Sequence, residues 1–200
     1  MTDPTRQETL ARLRQTIARL EGGAPKVQRG RLSTQADALD GALGGGLPRP
    51  GLVELTGPAG TGRLSLVLPC VAALTARREP VAVVDPLGRV FPPGWTGVVA
   101  ERLVIVQPAP EQAAWAGEQL ARSGAFPLVL LLEPPRLGRA GARLGHAAEQ
   151  GGATVLLLAE RSDPLLRVEL RLCVHGREGE RVCVEIIRSR GGGAGQRIRI

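Results

Sequence analysis

Residues 57–65 read Gly-Pro-Ala-Gly-Thr-Gly-Arg-Leu-Ser, directly after the apolar run Leu52-Val-Glu-Leu-Thr56. A strand feeding a glycine loop that opens a helix is the outline of a phosphate-binding loop, whose working form is G-x-x-x-x-G-K-[ST]. In that form the glycines let backbone N–H groups face phosphate, the lysine neutralises charge and the hydroxyl holds a magnesium ion. Gly57 and Gly62 keep the frame here, with Gly60 and Thr61 inside it, but Arg63 stands in the lysine position and Leu64 in the hydroxyl position. Arginine carries the charge on a bulkier planar fork that does not interchange with an ammonium. Ser65 comes one residue late, a little over a quarter-turn round the helix, and cannot take over at Leu64. The scaffold is kept and its chemistry is lost. A glycine loop at a helix start still offers backbone donors to an anion, so weak ATP or ADP binding without hydrolysis is the expectation. No metal site is assigned.

Working outward, β-rich apolar runs at 52–56, 81–85, 103–107, 128–133 and 154–159 alternate with helical stretches at 63–78, 110–123 and 137–150. Such alternation predicts an α/β protein with a largely parallel sheet and helices on both faces. Upstream, Thr34-x-x-Asp37 has the form of a capping box for a short helix through Leu43, stopped by Gly44-Gly45-Gly46. Earlier still, Leu10, Leu13, Ile17 and Leu20 form an apolar stripe on a helix over 5–21. That helix and its linker, residues 1–31, are expected to serve self-association or partner contact, with the core domain over 32–200.

Residues 168–174 and 182–187 alternate strictly and predict an antiparallel hairpin centred near Glu178. Its expected register sets Val174 opposite Val182, Leu172 opposite Val184 and Leu170 opposite Ile186 on one face. The other face sets Arg171 opposite Glu185 and Cys173 opposite Cys183. Gln196–Ile200 is a last candidate strand. The tail is basic, and Arg188, Arg190, Arg197 and Arg199 are candidates for contact with nucleic acid or an acidic partner, as are Arg136, Arg139 and Arg143.

Net charge is +7 with an isoelectric point near 11.0, carried by arginine apart from Lys26. This balance favours anionic partners through non-specific attraction. With no Tyr, two Phe and two Trp, the chain has little to stack against bases, so weak DNA binding by charge is expected and base reading is not. Cys70, Cys173 and Cys183 fit neither a disulfide framework nor a zinc site and are expected to be small buried hydrophobes. No apolar run approaches membrane-spanning length and residues 1–30 are too polar for a signal peptide. No membrane contact and a cytoplasmic location follow as expectations.

Residues 32–56, LSTQADALDGALGGGLPRPGLVELT, closely resemble the approach to the phosphate loop of the bacterial recombinase RecA. Residues 113–134 resemble its approach to the Walker B strand, and 181–200 the last strands of its core. The resemblance implies a RecA-like phosphate-loop core with a C-terminal antiparallel extension, preceded by an N-terminal helix. It also exposes departures. Glu133 occupies the Walker B position where the family has Asp, and Leu87 stands where the catalytic Glu follows the second strand. Ala159-Glu160 replaces a nucleotide-sensing Gln, and the adenine-stacking Tyr is absent. The two DNA-binding loops are reduced to Pro134–Gly138 and to little beyond Arg161-Ser-Asp-Pro164.

Among degenerate RecA-like proteins, Val83–Gly94 and Ala114–Ala125 resemble the ImuA type of translesion-synthesis accessory factor. That resemblance implies a non-catalytic, SOS-induced, nucleoid-associated protein that scaffolds mutagenic lesion bypass. Its implied partners are an ImuB-type polymerase-like protein, a DnaE-type error-prone polymerase and RecA, together with homo-oligomers. Two alternatives stand beside it: a DNA-dependent ATPase acting as recombination mediator, and a SulA-type cell-division inhibitor.

Overall fold

A computed structural model describes residues 30–179 and 181–200; the Leu10, Leu13, Ile17 and Leu20 stripe lies outside them. The core is an eight-stranded sheet in the order β10-β9-β8-β3-β7-β6-β4-β5. Its strands are β3 (Gly51–Thr56), β4 (Val81–Val84), β5 (Leu103–Val106), β6 (Leu128–Leu132), β7 (Thr154–Ala159), β8 (Leu170–Glu178), β9 (Arg181–Ser189) and β10 (Arg197–Arg199). From β5 through β8 every pairing is parallel, and β9 and β10 are added antiparallel. The fold is therefore α/β, as the alternation of runs predicts. Fully buried parallel strands need apolar residues on both faces, which is why β4 (Val-Ala-Val-Val) and β6 (Leu-Val-Leu-Leu-Leu) are continuous apolar runs.

Alternate residues of these strands feed two cores. Val53, Leu55, Val81, Val83, Leu128, Leu130, Leu156 and Leu158 pack with α1 (Asp37–Leu43) and α2 (Arg63–Ala76). Leu52, Ala82, Val84, Val129, Leu131, Val155 and Leu157 pack with α3 (Ala113–Arg122) and α4 (Arg139–Gly151). A separate two-stranded ribbon pairs β1 (Gly30–Leu32) with β2 (Leu47–Arg49), so a strand straddles residue 31, where the sequence reading ends its linker.

Two local expectations are corrected. The capping box at Thr34 and Asp37 does not form: Ala36 is the N-cap, with no side-chain cap. Asp40 organises the entry instead, accepting from the Ser33 hydroxyl at 2.6 Å and from the Thr34 amide and hydroxyl at 2.9 and 2.7 Å. The hairpin is real but its register differs. Leu172 faces Ile186, Cys173 faces Glu185 and Val174 faces Val184, with β-bulges on either side. Cys173 therefore does not oppose Cys183. Both are only part-buried, unlike Cys70, whose thiol burial pushes up to about 12.

Candidate functional site

The glycine loop lies at the carboxyl end of β3, where open α/β sheets place their ligands. It feeds α2, whose first residues line a cavity of about 320 Å³ together with Gly60, Gly62, Asp85, Leu87, Arg89, Val90, Trp95, Leu132, Glu133, Leu158 and Arg177. The structure thus brings Arg63, Leu64, Ser65 and Glu133 together in one pocket, as the loop reading requires.

Arg63 Nη1 stands 2.8 Å from Glu133 Oε1, with the arginine side chain 10% exposed. The N–H is not aimed at that oxygen, and Nη1 makes no hydrogen bond; the contact is one of charge. Glu133 sits one residue past β6 with φ 44, a left-handed conformation that a non-glycine residue adopts at a cost of ~1–3 kcal/mol. Its amide holds it there by donating to the Leu158 carbonyl at 2.8 Å. Glu133 Oε2 accepts from the Glu160 amide at 3.2 Å. One carboxylate therefore joins the phosphate loop to the segment after β7.

Leu64 turns into the sheet-side core, packed with the cluster that includes Val67 and Val71. The Thr61 hydroxyl is spent inside the loop, donating to the Pro58 carbonyl at 2.8 Å. Leu87 is 46% exposed at the pocket rim. Asp85 is 1% exposed; its Oδ2 accepts from the Val90 amide at 2.7 Å while Oδ1 has no partner. The sequence reading passed over Asp85, and also Trp95, Arg89 and Arg177, because nothing in their spacing joins them to the loop.

The glycines have a structural duty of their own. A Cβ on Gly57 (φ 146) would lie 2.4 Å from the Val174 carbonyl oxygen, and one on Gly62 (φ 98) 3.1 Å from Val182. Close approach of β8 and β9 requires Gly57 whether or not phosphate ever binds.

Beyond the pocket, the segment after β7 is pinned. Glu54, 2% exposed, pairs with Arg171 Nε, and its oxygens accept from the Ser162 hydroxyl and Asp163 amide, both at 2.9 Å. Arg171 donates onward to the Asp163 and Leu166 carbonyls at 2.8 and 3.1 Å. This replaces the expected pairing of Arg171 with Glu185, whose partners are His175 and Arg197.

The other candidate arginines scatter. Arg136 lines a cleft with Glu133 and Glu160. Arg139 is exposed at the start of α4, and Arg143 bridges α4 to Glu118 of α3 at 3.1 Å. Arg188 is exposed on β9, Arg190 lies 3.5 Å from Glu169, and Arg197 and Arg199 lie on β10. Among the described residues no group of His, Cys, Asp and Glu could hold a metal, and no helix is long and apolar enough to cross a membrane.

Comparison with known proteins places a match to the RecA N-terminal domain over residues 12–133. Protein RecA of Gluconobacter oxydans is 36% identical over 115 residues, covering 55% of this chain and 33% of that protein. Protein RecA of Synechococcus sp. strain CC9605 is 37% identical over 119 residues, 58% of this chain and 32% of that one. For Protein RecA of Clostridioides difficile the figures are 33% over 141 residues, 62% and 40%. The match thus spans 32–40% of the length of these relatives.

Proposed function

The chain belongs to the RecA N-terminal domain family, and from that premise we propose a non-catalytic member, an accessory protein of DNA-damage tolerance that uses the recombinase fold as a scaffold. The observation that carries this reading is the Arg63–Glu133 contact across the pocket. Phosphoryl transfer depends almost wholly on positioned charge. Here the cation in the lysine position is committed to the carboxylate in the Walker B position, the metal hydroxyl is replaced by a core leucine, and Leu87 cannot polarise water. Two carboxylates, Glu133 and Asp85, share the lining with Arg63, Arg89 and Arg177.

The pinned segment after β7 supports the same reading. Where the family resemblance implies a DNA-binding loop, Glu54 and Arg171 tie residues 162–166 to the sheet. The resemblance of 83–94 and 114–125 to the ImuA type gives the finer proposal. On it the protein scaffolds translesion synthesis with an ImuB-type polymerase-like protein, a DnaE-type error-prone polymerase and RecA, and self-associates through the Leu10, Leu13, Ile17 and Leu20 stripe.

A second reading has one observation in its favour. Arg63 Nη1 and Asp85 Oδ1 are buried and lack hydrogen-bond partners, and unpaired polar atoms lining a cavity are the signature of a ligand site. Retained binding of a nucleotide or another small ligand without turnover is compatible with the scaffold role.

The deciding experiment measures ATP hydrolysis by the purified chain with and without single-stranded DNA, beside a pull-down from DNA-damaged cells. Background turnover with recovery of RecA or a polymerase-like protein is expected. Turnover abolished by Gly62→Asp, or recovery of the division apparatus alone, would overturn the proposal.

A further inference from the structure

Asp85 is the fully buried acid of the cavity beside α2, at 1% exposure just past β4. Its Oδ2 accepts from the Val90 amide at 2.7 Å. Oδ1 is shut away from water and has no hydrogen-bond partner among the described residues. None of the ion pairs among those residues includes Asp85. A carboxylate withdrawn from water in this way is costly unless a donor reaches it. Arg63, lining the same cavity, is the converse case. Its Nη1 stands 2.8 Å from Glu133 Oε1 yet makes no hydrogen bond, so a guanidinium that is nine-tenths buried keeps a donor to spend.

The sheet brings the two together. Val84 pairs with Leu131, so Asp85 and Glu133 leave neighbouring parallel strands, whose backbones run ~4.8 Å apart. Arg63 reaches the second of these carboxylates, which carries its guanidinium to the strand beside Asp85. Around them Leu64, Leu87, Val90, Trp95, Leu132 and Leu158 supply an apolar wall. The volume of about 320 Å³ lies at the small end of the range for ligand pockets, roughly 300–1,000 Å³. A mostly apolar hollow on which a few polar groups converge is the form such pockets take.

We infer, on the premise that the cavity still holds a small ligand without turnover, that this ligand is a free apolar α-amino acid. Its ammonium donates to Asp85 Oδ1, its carboxylate accepts from Arg63 Nη1, and its side chain lies against the wall that includes Trp95. A ligand that only donates leaves Arg63 unmatched, and one that only accepts leaves Asp85 unmatched. Asp85 and Arg63 are charge-bearing groups, and charge-assisted hydrogen bonds are about twice as strong as neutral ones, which selects a zwitterion over a neutral amide or base. The carboxylate end also meets the positive end of the α2 dipole, since Arg63 is the first residue of that helix. A phosphate chain fits less well, because it brings acceptors and no cation to a lining shared by Asp85 and Glu133.

The test is isothermal titration calorimetry of the full chain with L-leucine, L-methionine and L-phenylalanine, each beside its decarboxylated amine and its deaminated acid. Saturable binding of at least one amino acid is expected, with its amine and its acid each weaker by about tenfold or more. Asp85→Asn keeps an oxygen for the Val90 amide and turns an amide N–H toward the ammonium. The amino acid should bind that variant about tenfold more weakly. The deaminated acid should bind it more tightly than it binds the parent, an increase that a merely disrupted fold cannot give. The inference is overturned if all three amino acids fail to bind, if an amine or acid binds as tightly as its amino acid, or if Asp85→Asn leaves these affinities unchanged. ADP titrated without magnesium separates the premise from the inference. ADP binding without amino-acid binding removes the inference and leaves retained nucleotide binding standing; silence from both means that water alone fills the cavity, and removes both.

Discussion

Arg63 and Glu133 face each other at 2.8 Å at the start of α2, so the residue in the lysine position and the carboxylate that follows β6 offset one another's charge. Each is a substitution with its own consequences; together they make a closed charge pair. The pairing also ties the phosphate loop to the segment after β7, since Glu133 reaches the Glu160 amide with its other oxygen.

Glu133→Gln tests that closure. The amide oxygen can still accept from Glu160, while the charge opposite Arg63 is gone, leaving a nine-tenths-buried guanidinium without its counter-ion. We expect the variant to melt lower than the parent in phosphate-free buffer and to gain more from added sulfate or ADP. Anion affinity should improve about tenfold, equivalent to ~1.4 kcal/mol, in thermal-shift titrations without magnesium. Equal sulfate responses in the two proteins would show that the pair does not govern the cradle.

Gly57→Ala should destabilise the protein by roughly 3 kcal/mol without any ligand present. The added methyl would sit 2.4 Å from the Val174 carbonyl, in a backbone conformation with φ 146. Urea unfolding of the apo chain reads this directly. A variant as stable as the parent would remove the packing explanation and leave phosphate contact as the reason for the glycine.

These two residues also mark what the sequence makes legible. The strands are readable because both faces are buried, which forces runs such as Val81–Val84 and Leu128–Leu132. The loop's own residues are readable one by one because the motif has fixed spacing, whereas Asp85, Arg89, Trp95 and Arg177 of the same pocket are not. Their mutual contacts are not: Arg63 and Glu133, or Glu54 and Arg171, are joined only through the crossovers, and no local pattern announces a partner that distant. The hairpin register fails for a subtler reason. Moving Leu172 from Val184 to Ile186 keeps every apolar residue on the same face, so alternation cannot distinguish the two pairings. The strands meet at Glu178 and Arg181, and bulges take up the difference; Arg171, apparently suited to Glu185, is claimed by Glu54 instead.

Acid sensitivity should carry a contribution from Glu185. The hydrogen bond with His175 chiefly, and Arg197 next, hold its carboxyl below the ordinary carboxylate value. A depressed folded-state pKa means that the unfolded chain binds more protons in the window between the two values. The stabilisation is therefore present above the ordinary carboxylate range and is lost as pH falls through the folded value. Glu185→Gln should flatten the fall of stability with pH in that acid window and leave the rest of the profile unchanged. Urea midpoints measured from neutral into acid check this, and parallel curves for parent and variant would refute it.

The Glu54–Arg171 clamp gives the largest expected effect. Both side chains are nearly buried, at 2% and 12% exposure, and Glu54 also holds Ser162 and Asp163. Arg171→Met alone strands a buried carboxylate, which costs about 3–5 kcal/mol, whereas replacing both members of such a pair with apolar residues is often near neutral. Glu54→Leu with Arg171→Met should therefore recover most of the stability lost in the single variant. It should not restore order after β7, because the Asp163 and Leu166 carbonyls lose their donor in either case. Hydrogen exchange at residues 160–168 separates the two effects: faster exchange in both variants, with global stability impaired only in the single one. Unchanged exchange in the double variant would mean that the segment is held by something other than this ion pair.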